Sequence, residues 1–148
     1  MNKIQPKKHH YIPQFILRKF TDENNQVFYW NIVKKTLEKR NTKSVFMNID
    51  MYRDEKNHQE NPVFIENSLS RFEREIAELI NKKLLNDKEI TITRTELESL
   101  RIFLSLLSFR SDLRMNQYKN NMFDESTKRV LGGDNIDFTD LWKREIEE

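Results

Sequence analysis

The sequence predicts a mainly α protein with a small β-hairpin, an α+β fold in which two long antiparallel helices pack with a short N-terminal helix and the hairpin. Three observations predict it. Apolar residues recur at spacings of three and four over two long stretches, the signature of helices with one buried stripe. Only Val27-Phe28-Tyr29-Trp30-Asn31-Ile32 is β-branched and aromatic enough to read as a clear strand. The 148 residues include just 2 Gly and 3 Pro, too few for a sandwich or barrel made of many tight turns.

The elements follow in chain order. Pro13 suits the first turn of a helix, where its missing N–H costs nothing. Phe15, Ile16, Lys19 and Phe20 then give a short helix with a buried face, ending at Phe20. A polar turn over Thr21 to Asn25 leads into the strand. A second strand, from about Thr36 to Thr42, completes a hairpin around Val33 to Lys35. A lone two-stranded hairpin is marginal in water, so it must pack on the helices. Asn41 to Asn61 reads as an irregular connector anchored by Val45, Phe46, Met47, Ile49, Met51 and Tyr52.

The first long helix is expected over Pro62 to Leu85, with Ile65, Leu69, Phe72, Ile76 and Leu79 in one stripe. Asn86-Asp87-Lys88 breaks it, and Ile90-Thr91-Ile92 reads as a short extended piece. Thr93 and Glu96 form a capping-box pattern. The second long helix carries Leu97, Leu100, Phe103, Leu104 and Leu107 to about Tyr118, and continues with a kink to Leu131. Gly132-Gly133 stops it. Asp137 to Asp140 can cap a last helix running through Trp142 to Glu148. The short link between the long helices makes them antiparallel. The length suits one domain, 1–148.

Composition narrows the function classes. The chain has no cysteine, which excludes disulfides, thiol nucleophiles and cysteine-ligated zinc and fits a reducing compartment. No glycine-rich phosphate loop and no standard metal-binding motif is present, so no cofactor and no metal are expected. Met1 to Lys8 is polar, without the apolar core of a signal peptide. The longest apolar stretch, Ile102 to Phe109, falls far short of the roughly 20 residues a membrane helix needs. The protein is therefore expected to be cytoplasmic and free of membrane. Net charge is +2, unevenly spread: Met1 to Arg53 holds 11 Lys+Arg and 4 Asp+Glu, and the remainder 15 and 20. Such a basic front half suits an anionic partner, or is a solvated surface whose two halves attract each other.

One segment is recognisable. Lys8-His9-His10-Tyr11-Ile12-Pro13-Gln14-Phe15-Ile16-Leu17-Arg18-Lys19-Phe20 resembles the opening motif of a bacterial family known as domain-of-unknown-function family 4238. Asn61 to Glu66, Ser70-Arg71-Phe72-Glu73 and Leu100 to Arg114 are similar to that family's two long helices. The resemblance covers about 7–118, leaving 119–148 as a helical extension. It implies that a later block of the family, centred on Asp-Asn-Pro, is missing here. It implies architecture and candidate residues but no reaction.

The candidate residues divide by chemistry. His9 and His10 are the catalytic candidates: adjacent residues of an extended segment point to opposite sides, so one can act as acid, base or ligand while the other hydrogen-bonds the fold. The alternative is a histidine satisfying buried backbone. Arg110 and Arg114 lie one turn apart and extend an apolar stripe. They need either a carboxylate, from Glu66, Glu73 or Asp112, or a bound anion. Arg18 joins them as a phosphate-binding candidate, with Tyr11, Gln14, Glu66 and Glu73 in support. Met47, Met51 and Phe28-Tyr29-Trp30 read as core, with a base-stacking platform as the minor alternative for the aromatics.

Two functions are compatible with these residues. The first is a non-catalytic nucleic-acid- or protein-binding module with an anion-binding His/Arg site, using Arg18, Lys19, Lys34, Lys35, Lys39 and Arg40 against phosphate. The second is a nuclease-like phosphodiester hydrolase using the His9-His10 pair and the paired arginines. Nucleic acid or another phosphate-bearing ligand is the expected partner in both.

Overall fold

The computed structural model describes residues 7–85, 89–133 and 135–148, which form two compact units, 7–51 and 52–148. The described residues carry six α-helices and two separate two-stranded antiparallel sheets. The fold is mainly α with small β elements. Among the described residues no helix is long and apolar enough to cross a membrane. The expected helix break at Asn86-Asp87-Lys88 lies outside the described residues.

In the first unit, strand β1 (Lys8–His10) pairs with β4 (Met47–Ile49), His9 opposite Asn48. Between them come helix α1 (Gln14–Leu17), a 3₁₀ turn (Arg18–Phe20) and a hairpin of β2 (Gln26–Asn31) and β3 (Thr36–Asn41). Pro13 sits just before α1, its carbonyl accepting from the Leu17 amide. At the hairpin turn, Asn31 Oδ1 accepts from the Lys34 amide and Lys35 takes φ 53°. Leu17, Val27 and Val45 form a small core, flanked by Ile12, Tyr29 and Phe46. Phe46 holds φ 51°, where its Cβ crowds the backbone at a cost of about 1–2 kcal/mol. Edge contacts to Tyr11 and Tyr29 and a hydrogen bond from the Tyr11 amide to its carbonyl fix it there.

The connector expected to be irregular thus contains a 3₁₀ turn (Thr42–Ser44) and β4. Several residues expected to be core are not. Phe28 and Trp30 are 65% and 55% exposed, because the two-stranded hairpin buries only the face carrying Val27 and Tyr29. Phe20 and Ile49 are exposed as well.

In the second unit, α2 (Phe64–Leu79) runs into a π-turn (Ile80–Leu84). Ile65, Leu69 and Ile76 are buried, as their spacing requires, with Phe72 half-buried beside them. Helix α3 (Arg94–Phe109) opens on the capping box: Thr93 Oγ1 accepts from the Glu96 amide and Glu96 accepts from the Thr93 amide. Contacts between α2 and α3 run in opposite chain directions. Lys83 meets Glu96 at 2.7 Å, and further along α3 the rings of Phe72 and Phe103 meet edge-on at 6.4 Å. The two helices are therefore antiparallel.

The rest of this unit departs from the expected continuous helix. Arg110 and Ser111 interrupt it, and Ser111 Oγ caps a new helix, α4 (Asp112–Lys119), by accepting from the Arg114 amide. Asp124 caps α5 (Glu125–Leu131), which Gly132 ends at φ 117°. Asp137 caps α6 (Phe138–Glu147). Stacked and edge-on rings link Phe109, Tyr118, Phe123 and Phe138 in series. Leu97 and Leu104, expected in the stripe, are exposed, and Ile90-Thr91-Ile92 pairs with no strand among the described residues.

Ile76→Ala should lower stability by about 2–5 kcal/mol, whereas Leu104→Ala, on the open side of α3, should change it by no more than about 0.5 kcal/mol. Denaturation midpoints that move equally would place the buried face wrongly.

A second test uses the capping box. A hydrogen bond from Lys83, joined by the Thr93 amide, pulls the Glu96 carboxyl from 4.5 down to about 2. Its stabilising contribution is therefore present above pH 4.5 and lost as pH falls through about 2. Wild type and Glu96→Gln should differ in urea midpoint near neutral pH and converge toward pH 2. A constant difference would contradict the assignment.

Candidate functional site

The candidate residues lie in both units. His9, His10, Tyr11, Gln14 and Arg18 belong to the first, and Glu66, Glu73, Arg110 and Arg114 to the second.

In the first unit, strand alternation sends the two histidines to opposite sides of β1: His9 is buried and His10 only half-buried. His10 Nε2 lies 3.1 Å from the Thr42 carbonyl oxygen, which can only accept, so this nitrogen carries the proton. His10 Nδ1 then accepts from Gln14 Nε2 at 3.4 Å, and Gln14 Oε1 accepts from Arg18 Nη2 at 3.3 Å. One helical turn separates Gln14 from Arg18, which lets the amide bridge imidazole and guanidinium. The row has a single donor–acceptor sense and suits a neutral ring. A proton on Nδ1 would face the amide NH2, and flipping the amide would turn that NH2 onto the guanidinium.

Arg18, Lys19, Lys34, Lys35 and Lys39 are exposed around this unit. Lys39 Nζ lies 2.8 Å from Asp22, and this hydrogen bond holds the Asp22 carboxyl below its ordinary value. Arg40 is paired with Glu38, two residues before it on β3, on the inner face of the hairpin. Lys39 also sits 5.0 Å over the ring of Phe28.

In the second unit, Arg110 is buried at the junction of α3 and α4. Its Nη1 donates to Glu73 Oε1 at 2.6 Å and its Nε to Tyr52 Oη at 2.9 Å. Burial pushes the Tyr52 phenol up to about 12 despite the adjacent guanidinium, so the hydroxyl stays neutral and accepts. Glu73 is thus the carboxylate that the Arg110 charge requires. Glu66, half-buried on α2, adds to the negative potential on Tyr52. Arg114 is exposed and donates to Gln117 at 2.8 Å.

Other polar positions gave no sequence signal. Asp54 is buried, and burial alone would push its carboxyl up. Hydrogen bonds from Asn57 and the Lys56 amide outweigh that and hold it below its ordinary value. His58 stacks on Phe64 and meets Glu147 at 2.8 Å. Tyr52, Asp54 and His58 share no spacing pattern with their partners in the chain, so only the folded unit assembles them. Among the described residues no group of three or more His, Asp or Glu side chains is arranged to hold a metal ion.

The family model described as "Protein of unknown function (DUF4238)" matches residues 8–146, extending the similarity through the last helix. No curated protein and no solved structure matches the chain.

Arg110→Met should strand the Glu73 carboxylate and cost about 3 kcal/mol or more. Pairing it with Glu73→Leu should recover part of that loss. An unchanged melting temperature in the single variant would contradict the ion pair.

Proposed function

The chain belongs to the DUF4238 family of proteins of unknown function, and from that premise we propose that it is a non-catalytic nucleic-acid-binding module whose first unit meets the phosphate backbone. One observation carries this reading. Residues 1–51 contain ten Lys+Arg against four Asp+Glu, and among the described residues eight of those cations, including Arg18, Lys19, Lys34, Lys35 and Lys39, are exposed. Clustered exposed cations release counterions from a polyanion on binding, which is the main source of sequence-independent affinity. Arg18 gains order from the His10–Gln14 row and presents its guanidinium from a fixed helix end. Arg114 is a further exposed arginine for phosphate. The Arg110 charge is already met by Glu73, so its role in this reading is to hold the fold.

The histidines support binding over hydrolysis. His9 is buried away from solvent, and both ring nitrogens of His10 are engaged, by Thr42 and Gln14, which leaves His10 without the free lone pair a general base requires.

Affinity for a mixed-sequence oligonucleotide should fall steeply between low and moderate salt, and Lys34→Glu with Lys35→Glu should flatten that dependence. Fluorescence anisotropy across a salt series measures both. No binding at low salt, or an unchanged slope in the double variant, would overturn the reading.

A further inference from the structure

We infer that the outer face of the β2–β3 hairpin is a stacking platform for single-stranded nucleic acid, a site that deepens, and rests on, the phosphate-binding reading above. In the hairpin register Phe28 pairs with Lys39 and Trp30 with Leu37, so these four side chains share one face. That face is open: Phe28, Trp30 and Leu37 are all exposed, as are Ile32 and Val33 at the turn. The opposite face, with Val27 and Tyr29, is the one packed on the small core. Exposed aromatic surface of this extent costs solubility unless something covers it.

The occupant follows from charge and spacing. The platform is bounded by cations: Lys39 lies over the Phe28 ring, and Lys34 and Lys35 stand exposed at the turn. Aromatic rings interleaved with lysines match a ligand that alternates flat bases with phosphates. Phe28 and Trp30 are two residues apart on a strand, a separation of about 6.6 Å. Bases stacked in a duplex strand are about 3.4 Å apart, so two bases reach the two rings only if the strand is extended and unstacked. A duplex hides its base faces and offers this surface phosphates alone. Base faces carry little sequence information, so the platform takes single strands of any sequence.

The test compares a fluorescein-labelled oligothymidylate, a duplex of equal length and anionic phospholipid vesicles, using the whole chain. Tighter binding of the single strand is expected, with its affinity reduced about tenfold or more by Trp30→Ala and by Phe28→Ala, while the salt slope is kept. Trp30→Phe should retain most of the affinity. Circular dichroism should show all three variants folded, since both side chains are exposed. Equal binding of single strand and duplex, with no effect of either alanine, would overturn the platform and leave the phosphate-binding reading standing. No binding of either nucleic acid would overturn both. Capture by vesicles without oligonucleotide binding would assign the aromatic face to a lipid surface and overturn the platform too.

Discussion

A guanidinium cannot be taken out of water alone, and the second unit is organised around that constraint. Arg110 lies at the break between α3 and α4, fully desolvated, and is held by Glu73 from α2 and by the Tyr52 hydroxyl. Tyr52 in turn stacks on Trp142 of α6 at 5.8 Å, and the Trp142 indole N–H donates to the Phe109 carbonyl at the end of α3. Four segments distant in sequence thus meet through one charge, the Glu73 and Tyr52 acceptors and one aromatic stack. Such a pair adds little net stability over an apolar replacement, but removal of either partner leaves an uncompensated polar group in the core. It fixes which surfaces of α2, α3 and α6 face one another.

The same constraint separates arginines with structural work from cations open to a ligand. Arg110 has its counter-charge inside the fold. The exposed cations of the first unit stand in water, where a paired lysine such as Lys39 can exchange Asp22 for a phosphate at small cost, because exposed ion pairs are weak. In our proposal the division of labour follows from burial: the buried Arg110 holds the packing of the second unit, and the exposed cations of the first unit, with Arg114, offer their charge outward. The His10–Gln14–Arg18 row is intermediate, with imidazole and amide fixing the direction of an exposed guanidinium.

Short-range, repeated features are legible in the sequence. The Ile65, Leu69, Ile76 stripe and the Thr93–Glu96 capping box are local signals, repeated within a turn or two, and both appear as read. The opposite orientation of His9 and His10 followed from strand alternation alone. Three-residue strands such as β1 and β4 are too short to show a period, so their pairing was not visible. The break at Arg110-Ser111 contains neither Gly nor Pro, and the run of helix-compatible residues concealed it. Aromatic residues are normally core, which is why Phe28 and Trp30 read so from sequence; the two-stranded hairpin buries one face only and leaves both exposed. The sequence shows that Arg110 needs a carboxylate or an anion, but Tyr52 and Trp142 are too distant in the chain for any spacing rule to supply them.

The most direct measurement is residue-resolved. Backbone amide chemical shifts of the ¹⁵N-labelled chain, followed during titration with oligothymidylate at low salt, report where the ligand sits. Perturbations concentrated on Gln26–Asn41, with the Trp30 indole N–H among the most shifted and the buried Trp142 indole unmoved, are the expected result. Perturbations centred on α2, α3 or α6, with the hairpin silent, would contradict a nucleic-acid interface on the first unit.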